Sequence, residues 1–203
     1  MIDRRVLLLM IVTLAASGLP QPARADDPPA TLDGFYQVLL GMMKDGQKLG
    51  FAGRRDRLAP AVRKAFNLPL MTRLIVGPQW PSLAATDQRQ LVEAFSDFSI
   101  ATYANQFDDD SGEAFDVDRK TAPAPGGDVI VHTKLAQPND KPVRLDYLLR
   151  NDQGTWRIID VYLSGTVSQL AVRRSEFSSV LRQGGVAGLV NLLKQKTAQL
   201  AGS

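Results

Sequence analysis

At Asp108-Asp109-Asp110-Ser111-Gly112-Glu113 the hydrophobic period of this 203-residue chain changes. Before that acidic turn cluster, apolar residues recur at helical spacing. After it they alternate in steps of two, and beyond about residue 166 they return to helical spacing. Helices, then a run of strands, then helices do not make alternating βαβ units. The order predicts an α+β fold in one domain.

The helical part begins with Leu32, Phe35, Tyr36, Leu39, Met42 and Met43, one stripe that Gly46 and Gly50 should end. A second helix is expected over 54–66, with Leu58, Ala61, Val62 and Phe66 inward. A short third is expected over 68–76, stopped by Gly77-Pro78. Thr86 offers a capping hydroxyl and Asp87 an acid for the first turn of a long helix reaching to about residue 107. Strands are expected over 114–120, 128–135, 143–150 and 155–163, joined by short turn-rich connections that favour an antiparallel meander. Val129, Val131, Thr133 and Leu135 share one face, as do Val143, Leu145, Tyr147 and Leu149. Ile158 and Ile159 make the last strand apolar on both sides. Two helices, 167–183 and 186–200, follow around Gly184-Gly185.

The first residues carry Arg4 and Arg5, an apolar run from Val6 to Ala16, and Ala23-Arg24-Ala25. That is the basic, apolar and small-residue pattern of a cleaved secretory signal, so 1–25 is expected to be removed and 26–203 to form the domain. The paired arginines leave both the general and the twin-arginine export routes open. The chain has no cysteine, so its fold rests on the core without disulfides, and it carries no thiolate metal site and no lipidated cysteine. The formal charge of +3 falls to +1 without the signal. With no basic block either, nothing points to nucleic acid.

Motifs for catalysis are missing. No nucleophile elbow, phosphate-binding glycine loop or His-Glu-x-x-His is present. His132 stands alone as the single histidine, without a paired carboxylate motif, which makes a rim residue the simpler reading than a base or a metal ligand. The acidic cluster lacks the spaced ligands of a calcium loop and reads as a solvated turn. No cofactor and no metal are expected.

One charge breaks the apolar pattern. Leu170, Arg174, Phe177 and Leu181 fall in one narrow stripe of a helix, which embeds Arg174 and demands a partner. Asp160, interrupting the face of Trp156, Ile158 and Tyr162, is the natural one. Arg174 and Asp160 are therefore expected to form a framework pair, or else Arg174, with Arg173, meets an anionic head group. The inward apolar residues, Met42, Phe95, Phe98, Tyr103, Val131, Leu145, Tyr147, Val161, Leu163, Leu170, Phe177 and Leu181, suit the lining of a pocket. The same residue types also fill a core, and periodicity leaves both open.

Three blocks, "FNLPLMTRLIVGPQW", "ATYANQFDDDSGEAF" and "WRIIDVYLSGTVSQLAVRRSEFSSVLRQGGVAGLVNLL", resemble the Mla-type periplasmic phospholipid carriers, the toluene-tolerance family (MlaC). The resemblance implies a fold like the nuclear-transport-factor-like domains, with a curved, antiparallel four-stranded sheet and flanking helices enclosing an apolar cavity. It implies a soluble periplasmic shuttle that takes lipid between an outer-membrane lipid complex and an inner-membrane ABC transporter. Departures are Phe66-Asn67, where the family has Phe-Asp, and Arg173, where it has an aromatic. The "VYLSGTVSQLAVRRSEFSSVL" stretch looks closer to the hopanoid-associated branch (HpnM), which implies a hopanoid cargo and an RND-type exporter as partner.

Three functions follow as alternatives. A lipid carrier needs a cavity and no covalent chemistry. A small-molecule enzyme on the same fold needs a pocket carboxylate with a raised pKa, for which Asp146 and Asp160 are the candidates. A protein-interaction module needs only a filled core.

Overall fold

A computed structural model of the chain describes residues 27–138 and 140–202. The expected signal, 1–25, lies outside the described residues. Five helices cover one face of an antiparallel sheet.

Helix α1 (Pro28–Met43) opens on two prolines. Their fixed φ suits a first turn whose N–H groups have no helical partner. Its stripe of Leu32, Phe35, Tyr36, Leu39, Met42 and Met43 is buried as the spacing predicts. Helix α2 (Gly46–Ala65) starts earlier than expected. Its first residue is glycine for a steric reason: a Cβ at Gly46 would come within 2.1 Å of the Asp108 carbonyl oxygen. Gly50, at φ 60°, breaks the helix once before it resumes. Arg54 is buried on the resumed part. Its Nε donates to the carbonyl of Ala104 at 2.7 Å and its Nη1 to that of Gly46 at 3.1 Å. A guanidinium thus satisfies a carbonyl in the last turn of a neighbouring helix, where no helical N–H is left to do so.

Helix α3 (Leu68–Val76) has the bounds expected from its sequence and ends at Gly77, where φ is 72°. Asn67 caps it: Oδ1 accepts from the backbone N–H of Leu70 at 3.1 Å, and Nδ2 donates to Asp152 at 3.2 Å. Asn67 thus both caps α3 and donates toward a neighbouring carboxylate. Helix α4 (Ala85–Gln106) buries Leu91, Phe95, Phe98, Ala101 and Ala104 among its neighbours. Thr86 does not cap it. The N-cap is Ala84, and the Gln88 amide instead donates to the carbonyls of Trp80 and Leu83.

The sheet has six strands, not the expected four. They are β1 (Ala114–Val117), β2 (Ala122–Pro123), β3 (Val129–Ala136), β4 (Val143–Asp152), β5 (Thr155–Leu163) and β6 (Val167–Ser168). Every pairing is antiparallel, in the order β1-β3-β4-β5-β6, with β2 also on β3. The long strands form the expected meander. The two extra strands are two residues each, too short to show a period of two. Register aligns Val131 with Tyr147 and Thr133 with Leu145, and on the next strand Val161 with Tyr147 and Leu163 with Leu145. These residues make the helix-facing side.

A bulge between Leu148 and Leu149 shifts the register with β5, so that Leu149 pairs with Ile158 and Leu148 with Asp160. Ile159 is the unpaired extra residue. Ile158, Ile159 and Asp160 are consequently all buried, which is the covered strand centre the sequence suggests. Helix α5 (Gln169–Ala201) contains both expected final helices, separated where Gly185 adopts φ 60° and ψ −158°.

Candidate functional site

Between the sheet and helices α2, α3, α4 and α5 lies a pocket of about 220 Å³. Its floor is Leu145 and Tyr147 of β4 with Val161 and Leu163 of β5, alternate residues that the strand period brings to one face. One wall is a single face of α4: Phe95, Phe98, Ser99, Thr102, Tyr103 and Gln106, spaced by three and four. The opposite wall is Val62 and Phe66 at the end of α2 with Leu68 and Met71 of α3. Asp160, Gln169, Leu170 and Arg173 complete the lining, with Phe107 below α4.

Of the residues expected to line a pocket, Phe95, Phe98, Tyr103, Leu145, Tyr147, Val161, Leu163 and Leu170 are there. Met42, Val131, Phe177 and Leu181 are not: they are buried in the filled core. The residues that sequence reasoning missed are of two kinds. Val62 and Phe66 read as ordinary inward core, and Leu68 and Met71 carry no pocket signal of their own. Thr102 falls by spacing on the side of Phe95 and Phe98, and with Ser99, Gln106 and Gln169, which no apolar pattern marks, it gives the pocket its polar edge.

The deep end is aromatic. Tyr103 packs edge-on to Phe35, with ring centres 5.2 Å apart, and Tyr147 packs edge-on to Tyr36. The Thr133 hydroxyl donates to the Leu145 carbonyl at 2.7 Å, so Tyr36 donates its own hydroxyl to Thr133 at 3.0 Å. Burial pushes the Tyr36 phenol up to about 12 and raises those of Tyr103 and Tyr147. All three stay neutral across the physiological range and act as packing groups with satisfied polar tips.

The expected Arg174–Asp160 pair does not form. Asp160 is buried and its carboxylate caps the turn into α5. Oδ1 accepts from the N–H of Val161 at 2.7 Å and of Leu170 at 3.0 Å, and Oδ2 accepts from the Ser168 hydroxyl at 2.5 Å. Ser168 in turn accepts from the N–H of Ala171. Arg174 is exposed and reaches toward Gly77, where an added Cβ would lie 3.2 Å from its Nη2. The reason is angular: Arg173 and Arg174 flank the line from Leu170 to Phe177, and it is Arg173 that falls on the side of Phe98 and the pocket.

Arg173 is therefore the arginine at the pocket. Its guanidinium carbon lies 5.0 Å from the centre of the Phe98 ring, a cation–π contact. Its Nη1 donates to Glu176 at 2.9 Å, and the other oxygen of Glu176 accepts from Lys196 at 2.7 Å. Burial raises the Glu176 pKa, but the hydrogen bonds from Lys196 and Arg173 outweigh it and hold the carboxyl below its usual range.

The other enzyme candidate, Asp146, sits on the far side of the sheet. His132 contacts it at 3.0 Å and Arg144 grips it at 2.6 Å. Burial raises its pKa, yet those partners win and lower it. The lone histidine is thus the neighbour of a carboxylate outside the pocket. Asp146 does not face the pocket, and both oxygens of Asp160 already accept hydrogen bonds. The acidic turn bonds to itself, Asp110 accepting from Gly112 N–H and Glu113 from Ser111 N–H. Among the described residues no cluster of three or more His, Asp or Glu could hold a metal ion, and no helix is long and apolar enough to cross a membrane.

The large exposed apolar residues among those described are Leu163, Val167 and Val172. All fall on the stretch from the end of β5 through β6 into the first turn of α5, beside the pocket edge.

Residues 35–195 match a family model described as MlaC protein. The fold is similar to that of a phospholipid-binding protein from Ralstonia solanacearum, whose structure was determined in complex with a phospholipid. The TM-score is 0.74 at 24% identity, over 86% of this chain and 99% of that one.

Proposed function

The chain belongs to the MlaC protein family, and from that premise we propose that it is a lipid carrier whose pocket takes the apolar part of its cargo. The observation that carries this reading is the pocket's construction. Apolar faces of a sheet and four helices converge on a space with polar groups along one edge, which is what an amphiphile needs. Each methylene moved there from water contributes about 0.8 kcal/mol, so a chain of many methylenes is held strongly without any covalent step. The phospholipid bound by the Ralstonia protein supports a cargo with acyl chains.

At about 220 Å³ the pocket is below the roughly 300–1,000 Å³ of ordinary small-molecule sites. A flexible chain enters such a slot in part and moves soft lining such as Met71 aside. A rigid polycycle needs its whole width at once, so the acyl cargo takes precedence over the hopanoid that the resemblance to the HpnM branch suggests.

In this reading, 1–25 directs export and is removed, and 26–203 works in the periplasm. The carrier takes lipid between an inner-membrane transporter, Mla-type ABC complex or RND-type exporter, and an outer-membrane lipid complex. Leu163, Val167 and Val172 lie where handover would occur.

The test is uptake of a polyene fatty-acyl probe that fluoresces only in apolar surroundings. Leu145→Arg, on the partly exposed pocket floor, abolishes uptake while far-UV circular dichroism keeps its folded form. Undiminished uptake by that folded variant would place the cargo elsewhere.

A further inference from the structure

We propose that the hairpin tip between β5 and β6, together with the first turn of α5, docks directly on an anionic bilayer surface and sets the pocket mouth against it. This inference rests on the carrier reading and adds how the pocket meets a membrane.

Leu163, Val167 and Val172 are 43%, 47% and 44% exposed, and they are grouped rather than scattered. Leu163 pairs directly with Val167 across a turn of Ser164, Gly165 and Thr166. Positive φ at Ser164 and Gly165, 54° and 73°, makes that turn tight. The N–H groups of Gly165 and Thr166 donate to the carbonyls of Tyr162 and Leu163, so those donors need no water when the tip meets an apolar phase. Arg144 lies across the tip: a Cβ on Gly165 would fall 2.8 Å from its Nε. The apolar pair thus stands on a braced turn with a cation beside it. Leu163 also lines the pocket. Exposed patch and pocket lining are therefore one continuous apolar surface, and a chain leaving a bilayer enters without crossing water.

The charges around the patch select an anionic lipid surface. From Val161 to Ser175 the sequence holds no acid and two arginines, Arg173 and Arg174. Arg174 is exposed, as are Arg144 and its cross-strand neighbour Lys134. The nearby carboxylates are engaged. Asp146 is buried under Arg144 and His132, Asp160 is buried in the corner of α5, and Glu176 is shared by Arg173 and Lys196. Asp116, opposite Lys134, is exposed only at the far side, on β1. An apolar tip with a cationic rim is the pattern of a protein that rests in the head-group layer.

The experiment is vesicle flotation of the full mature chain with phosphatidylethanolamine–phosphatidylglycerol vesicles and with phosphatidylcholine vesicles. Wild type floats with the anionic vesicles, less so at high salt, and binds the neutral ones far more weakly. Val167→Glu and Val172→Glu, neither in the pocket lining, each weaken binding at least about tenfold and keep their uptake of the dissolved polyene probe. Arg174→Gln weakens binding about fivefold on the anionic vesicles alone, the worth of one basic residue near such a surface. Equal binding to both vesicle types, or undiminished binding by folded Val167→Glu and Val172→Glu, overturns the proposal. If Val167→Glu does not fold, the two α5 variants decide. A second copy of the chain is the rival occupant: a wild-type dimer in analytical ultracentrifugation that Val172→Glu turns into monomer overturns membrane docking. Wild type that takes up the dissolved probe but binds no vesicles overturns the docking and leaves the carrier reading standing. Wild type that takes up no probe refutes the carrier reading itself.

Discussion

Replacing Asp160 with Asn separates the two roles open to that carboxylate. In the structure it accepts two backbone N–H groups and one hydroxyl at the corner where β5 turns into α5. An amide of the same shape keeps one oxygen for the N–H pair but removes the charge. Hydrogen bonds to a charged group contribute about 1.5–3 kcal/mol, neutral ones about 0.5–1.5. Two weakened bonds, and a Ser168 hydroxyl that loses its acceptor, give a destabilisation of about 2–3 kcal/mol. For a domain of this size that is a fall in Tm of about 4–12 °C. Arg174→Gln, by contrast, alters an exposed side chain and stays within about 0.5 kcal/mol. Urea unfolding of wild type, both single variants and the double variant yields a coupling energy. The account requires it to be below about 0.5 kcal/mol, as for independent sites. A coupling above about 1 kcal/mol, with Arg174→Gln as costly as Asp160→Asn, would mean that the two residues are a framework pair after all and refute the capping argument.

Asn67→Ala removes the cap of α3 and lowers stability by about 1 kcal/mol in the same urea assay, whereas Asn67→Asp loses comparable stability despite its good capping chemistry, because it sets a second carboxylate against Asp152. Asp146 sets an acid limb. Its folded pKa lies below its ordinary 3.8, so it contributes stability that is present above about pH 4 and lost as pH falls through the folded value. Asp146→Asn flattens that limb in acid unfolding followed by tryptophan fluorescence; an unchanged limb would assign it to other carboxylates.

Much of the fold is legible in the sequence where one period runs long enough to show itself. The α1 stripe, the bounds of α3 and those of β5 follow directly from spacing and from Gly77. What failed did so locally. A two-residue strand has no period, so β2 and β6 stay hidden. One bulge at Ile159 moves Asp160 out of the face its position in the sequence suggests. On α5 Arg173 and Arg174 flank the line through Leu170 and Phe177, and helical spacing alone does not say which of them turns inward. Arg54 was silent since its use depends on where the end of α4 lands.

The site divides in the same way. Alternation finds the floor, Leu145 and Tyr147, and helical spacing finds Phe95, Phe98 and Tyr103. Whether an inward residue meets a cavity or another side chain depends on how elements distant in sequence are spaced. Met42 and Phe177 have the same pattern signal as Phe98, yet they pack into filled core. The polar edge is the least legible part, since Ser99, Gln106 and Gln169 are polar and an apolar pattern does not mark them; only Thr102 falls by spacing on the side of Phe95 and Phe98.

The central claim, a carrier whose cargo has acyl chains, is tested most directly by organic extraction and mass spectrometry of the protein purified from the periplasm of a host that makes both phospholipids and hopanoids. The account predicts phospholipid at near one molecule per protein, with hopanoid a minor component. A folded, monodisperse protein that yields no lipid would contradict the carrier, and a hopanoid at that stoichiometry would contradict the acyl cargo drawn from the width of the pocket.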